Sequence, residues 1–230
     1  MDFPEELLHI SFVTLDQLSR MAEELRVQPG DTIVDLACGM AGPALWAARQ
    51  TGSKLIGVDL SSVAVRLASE RAGELGLAER ASFKTGSFAA TGLEDGSADA
   101  VMSEDALQYA PDKSAALREI ARILRPGGRL VFTAFELEPS RVSGLPVLGD
   151  DPVDDYKPLL EAAGFAIDAY EEAPGWPEPM RSAYQALLNA KDALIEEMGP
   201  MAVTALFSEL TLTLEREPYR RRVLAVVTRM

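Results

Sequence analysis

Cysteine and histidine occur once each in the 230 residues, as Cys38 and His9. A single thiol excludes an intrachain disulfide framework and fits a reducing compartment, so the chain reads as cytoplasmic. A single imidazole means that a histidine-built metal centre, or a triad with histidine as base, would have to run through His9 alone; no metal is expected. No apolar run approaches the roughly 20 residues that cross a bilayer. The acidic start, Met1-Asp2-Phe3-Pro4-Glu5-Glu6, lacks the basic, apolar and small-residue regions of a secretory signal. Cations are scarce as well: 22 Lys plus Arg stand against 36 Asp plus Glu, a formal net charge of −14. A nucleic acid would be repelled at long range. The nearest basic patch, Arg220-Arg221-Arg222, opens what reads as the last strand.

Hydrophobic residues make up 47% of the chain, enough for one sizeable core, and charged residues make up 25%. We expect a single domain over 1–230, divided into an N-terminal helical segment (1–30), a core (31–135), and a loop, cap helices and last strands (136–230). From Asp31 to Phe135 short apolar runs alternate with longer amphipathic ones, the pattern of a parallel α/β sheet with crossover helices. Strands are expected at Thr32–Leu36, Lys54–Asp59, Ser82–Thr85, Ala98–Ser103, Arg129–Phe135, Phe165–Tyr170 and Val223–Thr228. Helices are expected at Asp16–Leu25, Ala41–Thr51, Ser62–Leu75, Asp112–Leu124 and Asp154–Ala163, the third with Val63, Leu67 and Leu75 on its apolar stripe. Pro126-Gly127-Gly128 should stop the helix before it. The Pro- and Gly-rich stretch from Pro139 to Pro152 suggests a loop over the sheet's carboxyl edge. From Glu178 to about Leu214, two helices broken at Gly199-Pro200 would cap a ligand cleft.

The most informative stretch follows the first strand: Val34-Asp35-Leu36-Ala37-Cys38-Gly39-Met40-Ala41-Gly42-Pro43. In an open parallel sheet, ligands bind beyond the carboxyl ends of the strands, where the chain turns into the first helix. Small residues let a ligand approach the backbone, whose free N–H groups can bind polar atoms. The Gly-x-Gly-x-x-Gly spacing of a dinucleotide site is absent. Asp59 ends the neighbouring strand, and a carboxylate there can accept hydrogen bonds from both hydroxyls of a ribose; the plainer reading is an N-cap for the helix at Ser62. With no base beside it, Cys38 reads as a small buried filler rather than a nucleophile.

Val34 to Pro43, Gly57-Val58-Asp59-Leu60-Ser61 and Leu124-Arg125-Pro126-Gly127-Gly128-Arg129-Leu130 together resemble the class I S-adenosylmethionine-dependent methyltransferases. The similarity is greatest to their ubiquinone/menaquinone-biosynthesis-like and natural-product branch. The resemblance covers about Asp31 to Phe135. It implies a Rossmann-like seven-stranded sheet whose last strand is antiparallel, with a small helical cap, and S-adenosyl-L-methionine as cofactor. It places Asp35, Ala37, Cys38, Gly39 and Ala41 around the methionine part of the cofactor. It puts Asp59 on the ribose, Leu60 and Gly86-Ser87-Phe88 by the adenine, and Ser103 along the cofactor edge. Ala37 and Ala41 stand where the family usually has glycine, and Ser87 where it usually has aspartate.

The family's loop after the fourth strand often carries histidine near the acceptor; here Gln108 and Tyr109 take those places. Gln108 cannot be a base and would orient the acceptor. Tyr109, of a residue type with ordinary pKa near 10, would shape the pocket. Asp105 is the best carboxylate candidate for a base, or else a helix cap. Trp176 would stack on a flat ligand or pack in the core. The expected activity is methyl transfer to O or N of a small-molecule metabolite in secondary metabolism, by a monomer or homodimer. A methyltransferase-fold cyclase or cofactor-bound binding protein is the second reading, and a nicotinamide-dependent oxidoreductase the third.

Overall fold

The computed structural model describes residues 11–137 and 152–230. His9 and the stretch 139–151 lie outside the described residues. The elements run α1 (Leu15–Glu24), β1 (Thr32–Leu36), α2 (Gly42–Thr51), β2 (Lys54–Asp59), α3 (Ser62–Glu74), β3 (Ala81–Thr85), β4 (Ala98–Glu104), α4 (Lys113–Ile123) and β5 (Leu124–Leu137). Then come α5 (Lys157–Ala162), β6 (Phe165–Glu172), α6 (Pro177–Asn189), α7 (Lys191–Met198), α8 (Pro200–Arg216) and β7 (Arg220–Arg229). The sheet has seven strands in the order β3-β2-β1-β4-β5-β7-β6. The strands from β3 to β5 are parallel to one another, and β7 runs antiparallel between β5 and β6. Strand order reverses between β1 and β4, so a crevice opens beyond their carboxyl ends.

Strand alternation sorts the core into two layers. Ile33, Leu55, Val131 and Val226 pack with α1 to α3 on one face. Val34, Val101, Leu130 and Phe132 pack with Leu117, Ile120 and Ile123 of α4 on the other. A third cluster, Phe135, Trp176 and Met180, seats the cap on the end of β5. Trp176 is therefore a packing residue, edge-on to Phe135 at 4.8 Å between ring centres. Among the described residues no helix is long and apolar enough to cross a membrane.

Three local expectations need correction. In α3 the buried residues are Ala68 and Ala72, not Val63, which is 57% exposed and lines the crevice; small residues let the helix lie close on the sheet. At Leu124 the chain is already extended (ψ 142°), and Pro126-Gly127-Gly128 sits inside β5, in an excursion that shifts the register between Leu124 and Arg129. A Cβ at Gly128 would come within 2.9 Å of two backbone carbonyls, those of Arg125 and Asp99, so close approach demands glycine there. The cap holds three helices, because the chain also breaks at Ala190 (φ −92°, ψ 19°), where no proline or glycine announces it.

Candidate active site

The turn from β1 into α2 is built from left-handed residues in alternation: Ala37 (φ 61°), Gly39 (φ 52°) and Ala41 (φ 56°). The amides of Ala37 and Cys38 donate to the carbonyl of Val58 at 2.8 and 3.2 Å, fastening the turn to β2. Asp59 holds it from the other side, its Oδ2 accepting from the Gly39 amide and its Oδ1 from the Ser61 amide, both at 2.8 Å. Ser61, not Asp59, caps α3, with its hydroxyl accepting from the Ala64 amide. Gly57 is required by packing: a Cβ there would fall 2.4 Å from the Phe83 ring and 2.9 Å from Cys38 Sγ. Cys38 is buried, and burial pushes its thiol well above the ordinary range, consistent with a filler.

A cavity of about 490 Å³ opens over this turn, within the size range of small-molecule and cofactor sites. Residues 37–43, Asp59 and Ser61 form one wall, with Val63, Ala64 and Leu67 of α3. The opposite wall is Glu104, Asp105, Ala106, Gln108, Tyr109 and Phe135, closed by Phe12, Tyr184 and Arg220. The crevice thus brings Ala37, Cys38, Gly39, Ala41 and Asp59 together with Asp105, Gln108 and Tyr109. Leu60 is 78% exposed and does not line it. Gly86 donates its amide to the Asp59 carbonyl at 3.0 Å, which sets Gly86-Ser87-Phe88 beside β2 but outside the cavity lining. Ser103 is buried, and its hydroxyl donates to the Leu36 carbonyl at 2.8 Å, stitching β4 to β1.

Beneath the turn the electrostatics are one-sided. Asp35 is buried and its Oδ1 has no hydrogen-bond partner; burial first, and the neighbouring Asp59 second, push its carboxyl up to about 8. Glu104, at the end of β4, also buries an unpartnered oxygen, Oε1, and is raised well above the usual carboxylate range by burial and by Asp35 and Asp105. Two acids, each with one buried oxygen that lacks a donor, beside an open cavity leave a place for a cation.

Asp105, the carboxylate candidate for a base, is tied at both oxygens. Its Oδ1 accepts from Arg222 Nε and its Oδ2 from the Phe12 amide, each at 2.7 Å. Both carboxylate oxygens are thus engaged, and Asp105 clamps the start of the described chain to β7. Arg222, fully buried in β7, also donates from Nη1 to Gln17 Oε1 at 2.9 Å. Gln17 in turn completes a capping box with Thr14 at the start of α1. Gln108 is held by the backbone: its amide nitrogen donates to the Asp105 carbonyl and its oxygen accepts from the Phe135 amide at 3.3 Å. Burial raises the Tyr109 phenol further above its ordinary 10, which keeps it neutral at the cavity wall.

Glu104, Arg220 and Arg222 were not among the expected site residues. Their signal was present for the arginines. Along a strand, positions 220 and 222 share one face and 221 takes the other; Arg221 accordingly turns away to pair with Glu136 at 2.5 Å. For Glu104 no pattern distinguished it from a polar strand end.

A family model described as a methyltransferase domain matches residues 34–132. Among curated relatives, the chain is similar to methyltransferase GfsG of Streptomyces halstedii, 30% identical over 80% of this chain and 69% of that protein. It is also similar to 27-O-demethylrifamycin SV methyltransferase of Amycolatopsis mediterranei (strain S699), 29% identical over 70% of this chain and 63% of that protein. In fold it is similar to the [4+2]-cyclase SpnF, with TM-score 0.83, 23% identity, and 93% of this chain and 80% of that one covered. A geranyl diphosphate methyltransferase in complex with S-adenosylmethionine gives TM-score 0.70 at 22% identity, covering 94% of this chain and 85% of that one. At these identities the two structures speak for the fold.

Proposed function

Because the chain belongs to the class I S-adenosylmethionine-dependent methyltransferase family, an enzyme family with that compound as cofactor, we propose that it methylates an oxygen or nitrogen of a small-molecule metabolite in bacterial-type secondary metabolism. The observation that carries the site assignment is the pair of buried, unpartnered carboxylate oxygens, Glu104 Oε1 in the cavity wall and Asp35 Oδ1 at the base of the turn. The cofactor carries a sulfonium and an ammonium group, and it supplies a methyl bonded to that positive sulfur. Residues of this chain fit it: carboxylates favour the cation, the left-handed turn offers backbone amides, and Asp59 can accept from the ribose hydroxyls with its remaining lone pairs.

The chain's own contribution is alignment. Phe12, Tyr109, Phe135 and Tyr184 wall off water, and Gln108, fixed by two backbone bonds, gives the acceptor side a rigid edge. Placement in near-attack geometry can supply roughly 7–11 kcal/mol in favourable cases. A nitrogen acceptor then needs only to arrive unprotonated, whereas a hydroxyl must also shed a proton. One relative supports the natural-product assignment by its name, a methyltransferase of 27-O-demethylrifamycin SV. The single, buried Cys38 and the excess of acids fit a cytoplasmic enzyme that does not act on nucleic acid.

The tied oxygens of Asp105 favour a second reading, a methyltransferase fold that holds the cofactor and does other work; SpnF, similar in fold, is a [4+2]-cyclase. Methyl-labelled cofactor separates them. Label carried into hydroxyl- or amine-bearing compounds of a metabolite extract supports methyl transfer. Tight binding with no transfer across a broad panel would move the assignment to the second reading.

A further inference from the structure

A second, smaller recess adjoins the main cavity at the junction of α8, β7 and the start of α4, with a volume of about 30 Å³. That space takes one or two water-sized groups, hence the two oxygens of a carboxylate but not a diphosphate. It shares Gln108, Tyr109, Phe135 and Arg220 with the main cavity, so one small molecule can reach into both. Its charged lining is all cationic: Arg216 ends α8, Arg220 opens β7, and Lys113, itself engaged within the fold, begins α4.

Arg216 is the telling residue. It is only 2% exposed, yet its Nε and Nη2 have no hydrogen-bond partner. Those two nitrogens share one edge of the guanidinium, the edge that grips a carboxylate through two parallel bonds. A helix's last turn favours a cation, but an arginine serving only that purpose keeps its head in water. Of the two flanking acids, Glu217 is committed to Arg181 at 2.7 Å, and Glu215, whose charge reaches Arg216, makes no hydrogen bond to its Nε or Nη2. Arg220 stacks its guanidinium 4.4 Å above the centre of the Phe135 ring, at the boundary between the recess and the main cavity. Buried like charges with no acid between them are costly, and an entering anion relieves that cost.

We propose that this recess is the anion subsite of the acceptor: the substrate carries a carboxylate that Arg216 grips through Nε and Nη2, with its reacting oxygen or nitrogen in the main cavity beside Gln108. The proposal rests on reading the main cavity as the cofactor and acceptor site. The protein saturated with S-adenosylhomocysteine is titrated with benzoate, phenylacetate and hexanoate, each beside its primary amide, and with phenyl phosphate, by ligand-observed NMR. At least one acid should bind about tenfold or more tightly than its amide. Arg216→Leu should erase that preference without weakening S-adenosylhomocysteine binding or lowering the melting temperature. Arg216→Lys, which keeps the charge and loses the fork, should keep only part of it. Acids no better than amides across the set, an acid preference that survives Arg216→Leu, or phenyl phosphate bound in preference to every acid would each overturn the carboxylate subsite alone. Failure of the wild-type protein to take up S-adenosylhomocysteine would overturn the reading of the main cavity and this proposal with it.

Discussion

A left-handed backbone at Ala37 carries a cost that glycine would avoid, about 1–2 kcal/mol for an L side chain. The methyl of Ala37 is exposed toward the cavity, so its removal sacrifices little burial. Against this, glycine enlarges the unfolded ensemble by about 0.4–1 kcal/mol. Ala37→Gly should therefore stabilise the protein by roughly 0.5–1 kcal/mol, the difference of those two figures. Ala41 has the same backbone but a buried methyl packed in the core. Losing about 0.8 kcal/mol of burial should make Ala41→Gly close to neutral. Chemical denaturation of both variants checks the pair; an Ala37→Gly protein less stable than the parent would show that the methyl has a packing role. Sequence made both departures from glycine visible, since small residues cluster there, but only the φ angles reveal that the alanines keep the turn glycine would make. Asp59 carries more. Asp59→Ala removes the acceptor proposed for the ribose and also frees the Gly39 and Ser61 amides. Cofactor affinity should fall at least tenfold to a hundredfold, since hydrogen bonds to a charged group contribute about 1.5–3 kcal/mol. An unchanged dissociation constant by calorimetry would remove Asp59 from the cofactor site.

At the scale of elements, the Asp105–Arg222 pair joins parts of the chain that are far apart in sequence. Arg222 of β7 reaches Asp105 after β4 and Gln17 of α1, while Asp105 receives the amide of Phe12. One buried pair thus fixes the N-terminal segment over the cavity. Removing one partner leaves a buried charge alone, at about 3–5 kcal/mol, while exchanging both for apolar groups costs far less. Asp105→Ala should lower stability by about that amount, and adding Arg222→Met should restore most of it. A base at Asp105 would instead give a stable protein that binds cofactor and fails in turnover; thermal melts and binding of the single and double variants separate the two. Such long-range pairing is what a linear reading misses. The strands β1, β2 and β4 were legible within a residue because buried apolar runs end at turn residues. The break at Ala190 was not, because no proline or glycine marks it. Arg220 to Arg222 read as a basic run, although period-2 alternation sends its members to different partners.

Over the whole molecule, a net charge of −14 is not spread evenly. Asp59 and Glu104 line the main cavity with Asp35 buried near them, while Arg216 and Arg220 line the adjoining recess. The sheet order that creates this polarity was implied by the family motifs, but the charge separation depends on side chains from β1, β2, β4, α8 and β7 meeting, which no single motif contains. The polarity has a pH consequence. Asp35 titrates at about 8 in the folded chain against 3.8 as a free group. Below 3.8 both folded and unfolded forms are protonated. Between 3.8 and about 8 the unfolded form has released its proton while the folded one retains it, so stability conferred at low pH is lost as pH rises through that window. The cofactor-free protein should therefore melt at progressively lower temperature from pH 5 to pH 8, insofar as Asp35 and Glu104 dominate that range. Binding reports the same groups with the opposite sign. A sulfonium favours the ionised carboxylates, so affinity for S-adenosylmethionine should rise as pH climbs toward 8 and beyond. S-adenosylhomocysteine has the same ammonium group and lacks the positive sulfur, so the ratio of the two affinities cancels the amine and the ribose contacts. That ratio, measured by calorimetry from pH 6 to pH 9, should shift steadily toward S-adenosylmethionine. A ratio that stays flat would mean that Asp35 and Glu104 do not sense the sulfur, and that their unpartnered oxygens answer to some other cation.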